Sequence, residues 1–249
     1  MIGAFLAGTD GAVQVVVSDF SLAAMRHLTS TNPDEFGLDH YSRWDYSSLI
    51  SGASKSPDLN EIFDLLRGHR ITRSGDLSIA VGIVKTAGTN HKINIRHARD
   101  VSARELRSAS HMILGNPYST PWAEPYEEKL GFRWMQGKGY RDVNAKAGEQ
   151  AEYLSTGSSF DERGSGYGRL ACLPNLSGQG QVLLVSGINM VTMEATGEAA
   201  LSPDTWSELR NRLALGKGVR MPAFEAILKT EALDNTPQHA RVVKARLIR

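Results

Sequence analysis

VQVVVSDFSLAAM, residues 13–25, reads as a β-branched strand that passes through Ser18 and Asp19 into a helix. A strand apolar on successive positions is buried on both faces, which is the situation of a parallel sheet covered by helices on either side. The same unit of apolar strand, small polar loop and helical sequence recurs in HMILGNPYSTPW at 111–122 and in QVLLVSGINMVTMEATGEAAL at 181–201. In open α/β sheets ligands collect at these strand ends, where side chains and free helix N–H groups converge.

The sequence between these units supplies the remaining elements. Ser56 and Pro57 open a helix with Leu59, Ile62, Phe63 and Leu66 on its apolar face, and Gly68 closes it. Leu77, Ala80, Val84 and Ala87 recur at helical spacing over 76–87, with Gly88 as the stop. KINIRHA alternates like a half-buried strand, and Ser102 with Glu105 forms a capping box before HMILG. Strand, helix and strand with short joins predict a parallel pair and a right-handed crossover. Residues 29–56, with Tyr41, Trp44 and Tyr46, read as a loop or irregular helical excursion over a pocket.

From Gly131 to Gly168 the apolar period weakens, as expected of a flexible crossover or lid. Beyond it YGRLACLP and QVLLVSG form an antiparallel hairpin, followed by helices at 190–201 and from 203, the latter with Trp206, Leu209 and Leu213 on one face. PAFEAILKTEAL and ARVVKARLI alternate as solvent-facing strands. The expected fold is α/β, a Rossmann-like or flavodoxin-like layered sheet with a mixed parallel and antiparallel second half. It forms a single domain over 1–249 or two lobes, 1–130 and 165–249, joined by a flexible 131–164 segment.

The 249 residues can bury a full core, and a formal net charge of +1 with well-mixed charges argues against a chain that seeks nucleic acid strongly. Arg241, Lys244, Arg246 and Arg249 read as the solvated face of an edge strand. Cys172 stands alone in RLACLP, so no internal disulfide forms and a buried thiol is expected. The start MIGAFLAGTDGA has neither the charged leader nor the length of a membrane segment. The chain reads as soluble, with cytoplasm favoured over periplasm, and its short run-in to the first strand also suits a domain of a longer protein.

No motif in this sequence names a reaction. The seven histidines show no HxH or HExxH spacing, so no metal and no cofactor is expected. There is no nucleophile elbow and no Walker loop, and RGSGYG at 163–168 precedes a strand instead of following one. Glu149, Glu152, Asp161 and Glu162 read as solvated. What remains are the loops GNPYST, 115–120, and SGINMVT, 186–192, at equivalent strand ends. Each can hold a polar ligand with backbone N–H groups or simply cap its helix.

Several segments in the same order resemble an uncharacterised C-terminal region found attached to bacterial winged-helix transcription regulators. They are VQVVVSDFSLAAM, LDHYSRWDY (38–46), RSGDLSIAVGIVK (73–85), SARELRSASHMILGNPYSTPW (102–122), GFRW (131–134), GEQAEY (148–153), the long run from Tyr167 to Pro203, and PAFEAILKTEAL (222–233). In such proteins the region follows a DNA-binding domain and in some a membrane helix, so the resemblance implies signal input. The chain departs from the pattern where an Asn is expected before Trp122, at Ser119 or Thr120, and where Val191 replaces a Gly ahead of Thr192. It carries no winged helix, so direct contact with nucleic acid is not expected.

These readings together predict a small-molecule-binding pocket lined by Asp19, Ser74, Asp76, Asn116, Ser119, Trp122, Gly187 and Thr192. The rival is a metal-independent hydrolase or transferase using a loop Ser or Thr, with His97 or His111 as base. A small molecule is the expected partner, and a homodimer is left open.

Overall fold

The computed structural model describes residues 2–6, 9, 11–49, 57–155, 165–216, 219–233, 236–237 and 240–248. In chain order its elements are helix α1 (Ile2–Leu6), strand β1 (Val13–Val17), helices α2 (Phe20–Thr29), α3 (Leu38–Ser42), α4 (Pro57–Gly68) and α5 (Ser74–Ala87), and strand β2 (Ile93–His97). Next come helix α6 (Ala103–Ser108), strand β3 (Ser110–Leu114), helix α7 (Glu124–Glu127), and strands β4 (Phe132–Met135), β5 (Gly139–Asp142), β6 (Glu152–Leu154), β7 (Ser165–Pro174) and β8 (Gln181–Gly187). Helices α8 (Met190–Leu201) and α9 (Pro203–Arg212) and strands β9 (Phe224–Leu233), β10 (Thr236–Pro237) and β11 (Arg241–Leu247) complete the set.

The fold is α/β, with one mixed sheet ordered β10-β9-β7-β8-β3-β1-β2 and with β11 also paired to β9. β2, β1, β3 and β8 run parallel, whereas β7, β9 and β11 are antiparallel to their neighbours. β2 and β3 are parallel but do not touch, because β1 lies between them. The chain therefore leaves β1 for one side of the sheet and returns on the other, which makes the β1/β3 boundary a topological switch point.

Successive residues of the central strands feed opposite cores. Val13, Val15, Val17, Met112, Leu114, Leu183 and Val185 pack under α1, α5, α8 and α9, whereas Val16, Ile113, Val182 and Leu184 pack under α2, α4, α6 and the segment around Trp122. This is why the strands read as apolar runs. α5 buries only part of the face its periodicity suggested, Ala80 and Ala87. Leu77 and Val84 are exposed, while Asp76, Ile79, Ala80, Ile83 and Ala87 are buried. The inner face is set by α8, where Gly197 lies so close that a Cβ there would stand 2.3 Å from Ile79. The small residues of EATGEAA thus serve close helix packing.

In the described part of the weakly patterned middle, 131–155, β4, β5 and β6 form a small antiparallel sheet, while 156–164 lie outside the described residues. Phe132, Tyr140 and Tyr153 from this sheet pack with Ile188 and Ile227, covering the antiparallel half on the face that carries helices elsewhere. β9 is accordingly an interior strand, not a solvent-facing one, with Phe224 to Leu228 buried. Lys244 and Arg246 on β11 are clamps, not a free basic face. Arg246 donates to Asp142 at 2.7 Å and Glu225 at 2.5 Å, and Lys244 donates to Asp142 at 2.9 Å and Glu149 at 2.6 Å. Glu225 also accepts the backbone N–H groups of Gly131 and Phe132 at 3.0 Å. A tertiary salt-bridge network therefore replaces apolar periodicity as the source of order here. Arg249, Ser56, Asp161 and Glu162 lie outside the described residues.

Candidate functional site

Three strand-end loops are tied together at the switch point. The N–H of Asp19, just past β1, donates to the Ser119 carbonyl at 2.8 Å, joining the β1 loop to the Gly115–Thr120 loop after β3. Asn116 donates through Nδ2 to the Gly187 carbonyl at 2.8 Å and accepts from the Tyr118 N–H at 3.0 Å, joining the β3 loop to β8. Asn189 then caps α8 by accepting from the Thr192 N–H at 2.9 Å, while Thr192 Oγ1 accepts from the Asn189 N–H at 3.1 Å. Thr192 is thus the third-position partner in a capping box whose cap is Asn189.

Beside these loops lies a cavity of about 160 Å³. Asn116, Tyr118 and Ser119 form one wall, Ala23 and His27 of α2 another, and Arg73, just before α5, a third. Ile188 and the β4–β5 hairpin residues Trp134, Gln136 and Gly137 close it. The Tyr118 and Trp134 rings, with centroids 6.5 Å apart, link the strand-end loop to the hairpin. No Asp or Glu lines the cavity.

Of the residues expected at the site, Asn116 and Ser119 line this cavity. Asp19 is fully buried in its own cage, accepting from Arg99 Nε at 2.6 Å, Arg99 Nη2 at 3.2 Å, the Leu22 N–H at 3.0 Å and Tyr41 Oη at 3.3 Å. Asp76 is 1% exposed and accepts from the Ser18 N–H at 3.1 Å, the Ser18 hydroxyl and Thr72 Oγ1 at 3.3 Å. Trp122 is core, donating to the Ala98 carbonyl at 2.8 Å. Gly187 and Thr192 shape the entry to α8, and Ser74 is exposed at the first position of α5. Arg73, His27, Trp134 and Gln136 were missed. Arg73 was hidden one position before the residue chosen from the helix start, and the hairpin residues lie where periodicity gave no signal.

Arg73 differs from the other deep arginines. Arg26 donates to the carbonyls of Pro117, Tyr118 and Phe36, Arg99 to Asp19, and Arg169 to Glu127 and the Phe132 carbonyl. Half-buried Arg73 lies 5.3 Å from the Phe20 ring centroid, and its guanidinium donates to no acceptor among the described residues. Burial pulls its pKa below the usual arginine value, with the Asp76 charge acting in the opposite direction.

The imidazoles proposed for a hydrolase do not reach the loop hydroxyls. His97 Nδ1 accepts from the Arg99 N–H at 3.2 Å and Nε2 stands 3.4 Å from the Ile71 carbonyl. His111 lies near the opposite end of β3, ~13 Å along the strand from Gly115 at ~3.3 Å per residue, and is fully buried. Burial lowers the pKa of both. Thr120 Oγ1 is committed to the Leu114 carbonyl at 2.8 Å. Cys172 is buried, its thiol pushed up to about 12 by desolvation, which leaves it unreactive. Among the described residues no group of three or more His, Cys, Asp and Glu could hold a metal, and no helix is long and apolar enough to cross a membrane.

On the far side of Trp134 an open groove of about 770 Å³ includes Pro33, Asp34, Asp39, Pro117 and Glu124. Burial raises the Glu124 pKa from 4.5 to about 7, reinforced by Asp34 and Asp39 and opposed by the Leu38 N–H and Arg26. Folding therefore strengthens proton binding at Glu124. Its stabilising contribution is full below about 4.5 and is lost as pH rises through about 7. At ~1.4 kcal/mol per unit this is at most about 3 kcal/mol. Solvent at the 26% exposed side chain reduces it to about 1–2 kcal/mol. Urea unfolding at pH 5 and pH 8 should show Glu124→Gln losing that much less stability than the parent across the interval. Parallel pH profiles would refute the assignment.

Comparison of the chain with protein-family models, with curated proteins and with solved structures returns no match.

Proposed function

We propose that this chain is a signal-input domain that binds a small molecule in the crevice between the carboxyl ends of β1 and β3. The observation that carries the reading is the 160 Å³ cavity at the switch point, lined by Arg73, Asn116 and Ser119. The loops around it are cross-linked by the Asp19–Ser119 and Asn116–Gly187 hydrogen bonds, so the site is preformed and a ligand spends little of its affinity on ordering it. The same loops lie against α8 and the β4–β5 hairpin, giving an occupied pocket a route to the rest of the molecule. The resemblance to regulator-attached regions supports sensing over storage or transport. Association with a winged-helix regulator belongs to this proposal.

A ligand at a hundredfold excess over Kd stabilises the folded state by about 2.7 kcal/mol, or about 5–10 °C in Tm for a chain of this size. A thermal-shift screen of small anions, polyols and nucleotides should yield at least one such shift. Native mass spectrometry of the purified chain reads any co-purified molecule and the assembly state together. A flat screen with a bare chain in the spectrometer would remove the basis for the proposal.

A further inference from the structure

We propose that the crevice ligand is anionic and that Arg73 holds it by one carboxylate or phosphate group. This rests on the binding reading above and adds the ligand's chemistry. The buried Arg26, Arg99 and Arg169 donate to carboxylates or carbonyls. Half-buried Arg73, at a cavity wall, has no such acceptor among the described residues and is free to take one from a ligand. Asp76, which acts on its charge, is already taken by Ser18 and Thr72, and the cation–π contact with Phe20, 5.3 Å from the ring centroid, leaves the edge of the guanidinium fork uncommitted. That edge presents paired N–H donors at the spacing of two oxygens on one carbon or phosphorus. Ser119 and Gln136 also line this space, and among the described residues no Asp or Glu does.

Size narrows the class. A cavity of about 160 Å³ has room for a phosphate group or a short carboxylate. A larger ligand would leave its remainder outside, toward the β4–β5 hairpin.

The test is a proton–nitrogen correlation spectrum of the labelled full chain, titrated separately with inorganic phosphate, acetate, malonate and glycerol. The reporters are the Trp134 indole N–H, assigned through Trp134→Phe, and the Asn116 side-chain amide, assigned through Asn116→Asp. At least one anion is expected to move both resonances saturably. Arg73→Gln should weaken that binding about tenfold or more, in line with the loss of a charged hydrogen bond, and Arg73→Lys should fall between the two, with the remaining spectrum unchanged. Phosphate acting alone or carboxylates acting alone would each support the inference and choose between the two groups. Saturable shifts from glycerol only, or anion binding undiminished in Arg73→Gln, would overturn the anion assignment while leaving the crevice as the site. No shift from any of the four would overturn both.

Discussion

Arg99→Met is expected to destabilise the fold by about 3–5 kcal/mol, the range for removing one partner of a buried ion pair. Both side chains are out of solvent, at 1% exposure for Arg99 and 0% for Asp19. The bidentate contact to Asp19 is only part of the role of Arg99. Its Nη1 also donates to the carbonyls of Leu66, Arg67 and His69 at 3.2, 2.8 and 3.3 Å, closing the carboxyl end of α4. Methionine fills similar space but leaves a buried carboxylate and unsatisfied carbonyls, and the penalty comes from that orphaned polarity. The double variant Asp19→Leu with Arg99→Met removes the stranded charge, so its cost should fall at least 1 kcal/mol short of the sum of the single variants. Equilibrium urea unfolding of the set measures this. A single-variant cost below 1 kcal/mol, or strict additivity, would mean that the pair does not anchor the β1 end as argued.

Gly187→Ala should cost about 3 kcal/mol or more, through overpacking that side-chain repacking cannot relieve. A Cβ at this position would stand 2.3 Å from the Met193 nitrogen, 2.6 Å from its Cα and 2.6 Å from the Thr192 carbonyl carbon, all backbone atoms of α8. Relief requires moving the helix, and with it the Gly187 carbonyl that Asn116 holds. The variant is therefore expected to lose ligand binding at the crevice as well as stability. Gly68→Ala is the control, since nothing lies within 4 Å of the added methyl. It should stay within about 1 kcal/mol of the parent. Equal costs at the two positions, read by thermal or urea denaturation, would contradict the close approach of α8 to β8.

Much of this architecture was legible because its causes are local. The Ser102 and Glu105 capping box and the start of α9 at Pro203 each act within a single turn, so neighbouring residues suffice to read them. The apolar runs within β1, β3 and β8, Val15–Val17, Met112–Leu114 and Val182–Val185, report burial on both faces whatever their strand order. In the site, Asn116 and Ser119 followed from their strand-end position alone. Asp19 follows from the same position, yet it and Asp76, in the first turn of α5, are each closed off by partners far away in sequence.

The sequence by itself determined the α/β class and the Ser102–Glu105 cap of α6, because period and capping are settled over a few residues. Only the tertiary structure decided that β1 separates β2 from β3, that Lys244 and Arg246 hold the small sheet through Asp142 and Glu225, and that Arg73, not Asp19, borders the open cavity. Those outcomes depend on which charges meet across the sheet, and a charge carries no period that announces its distant partner.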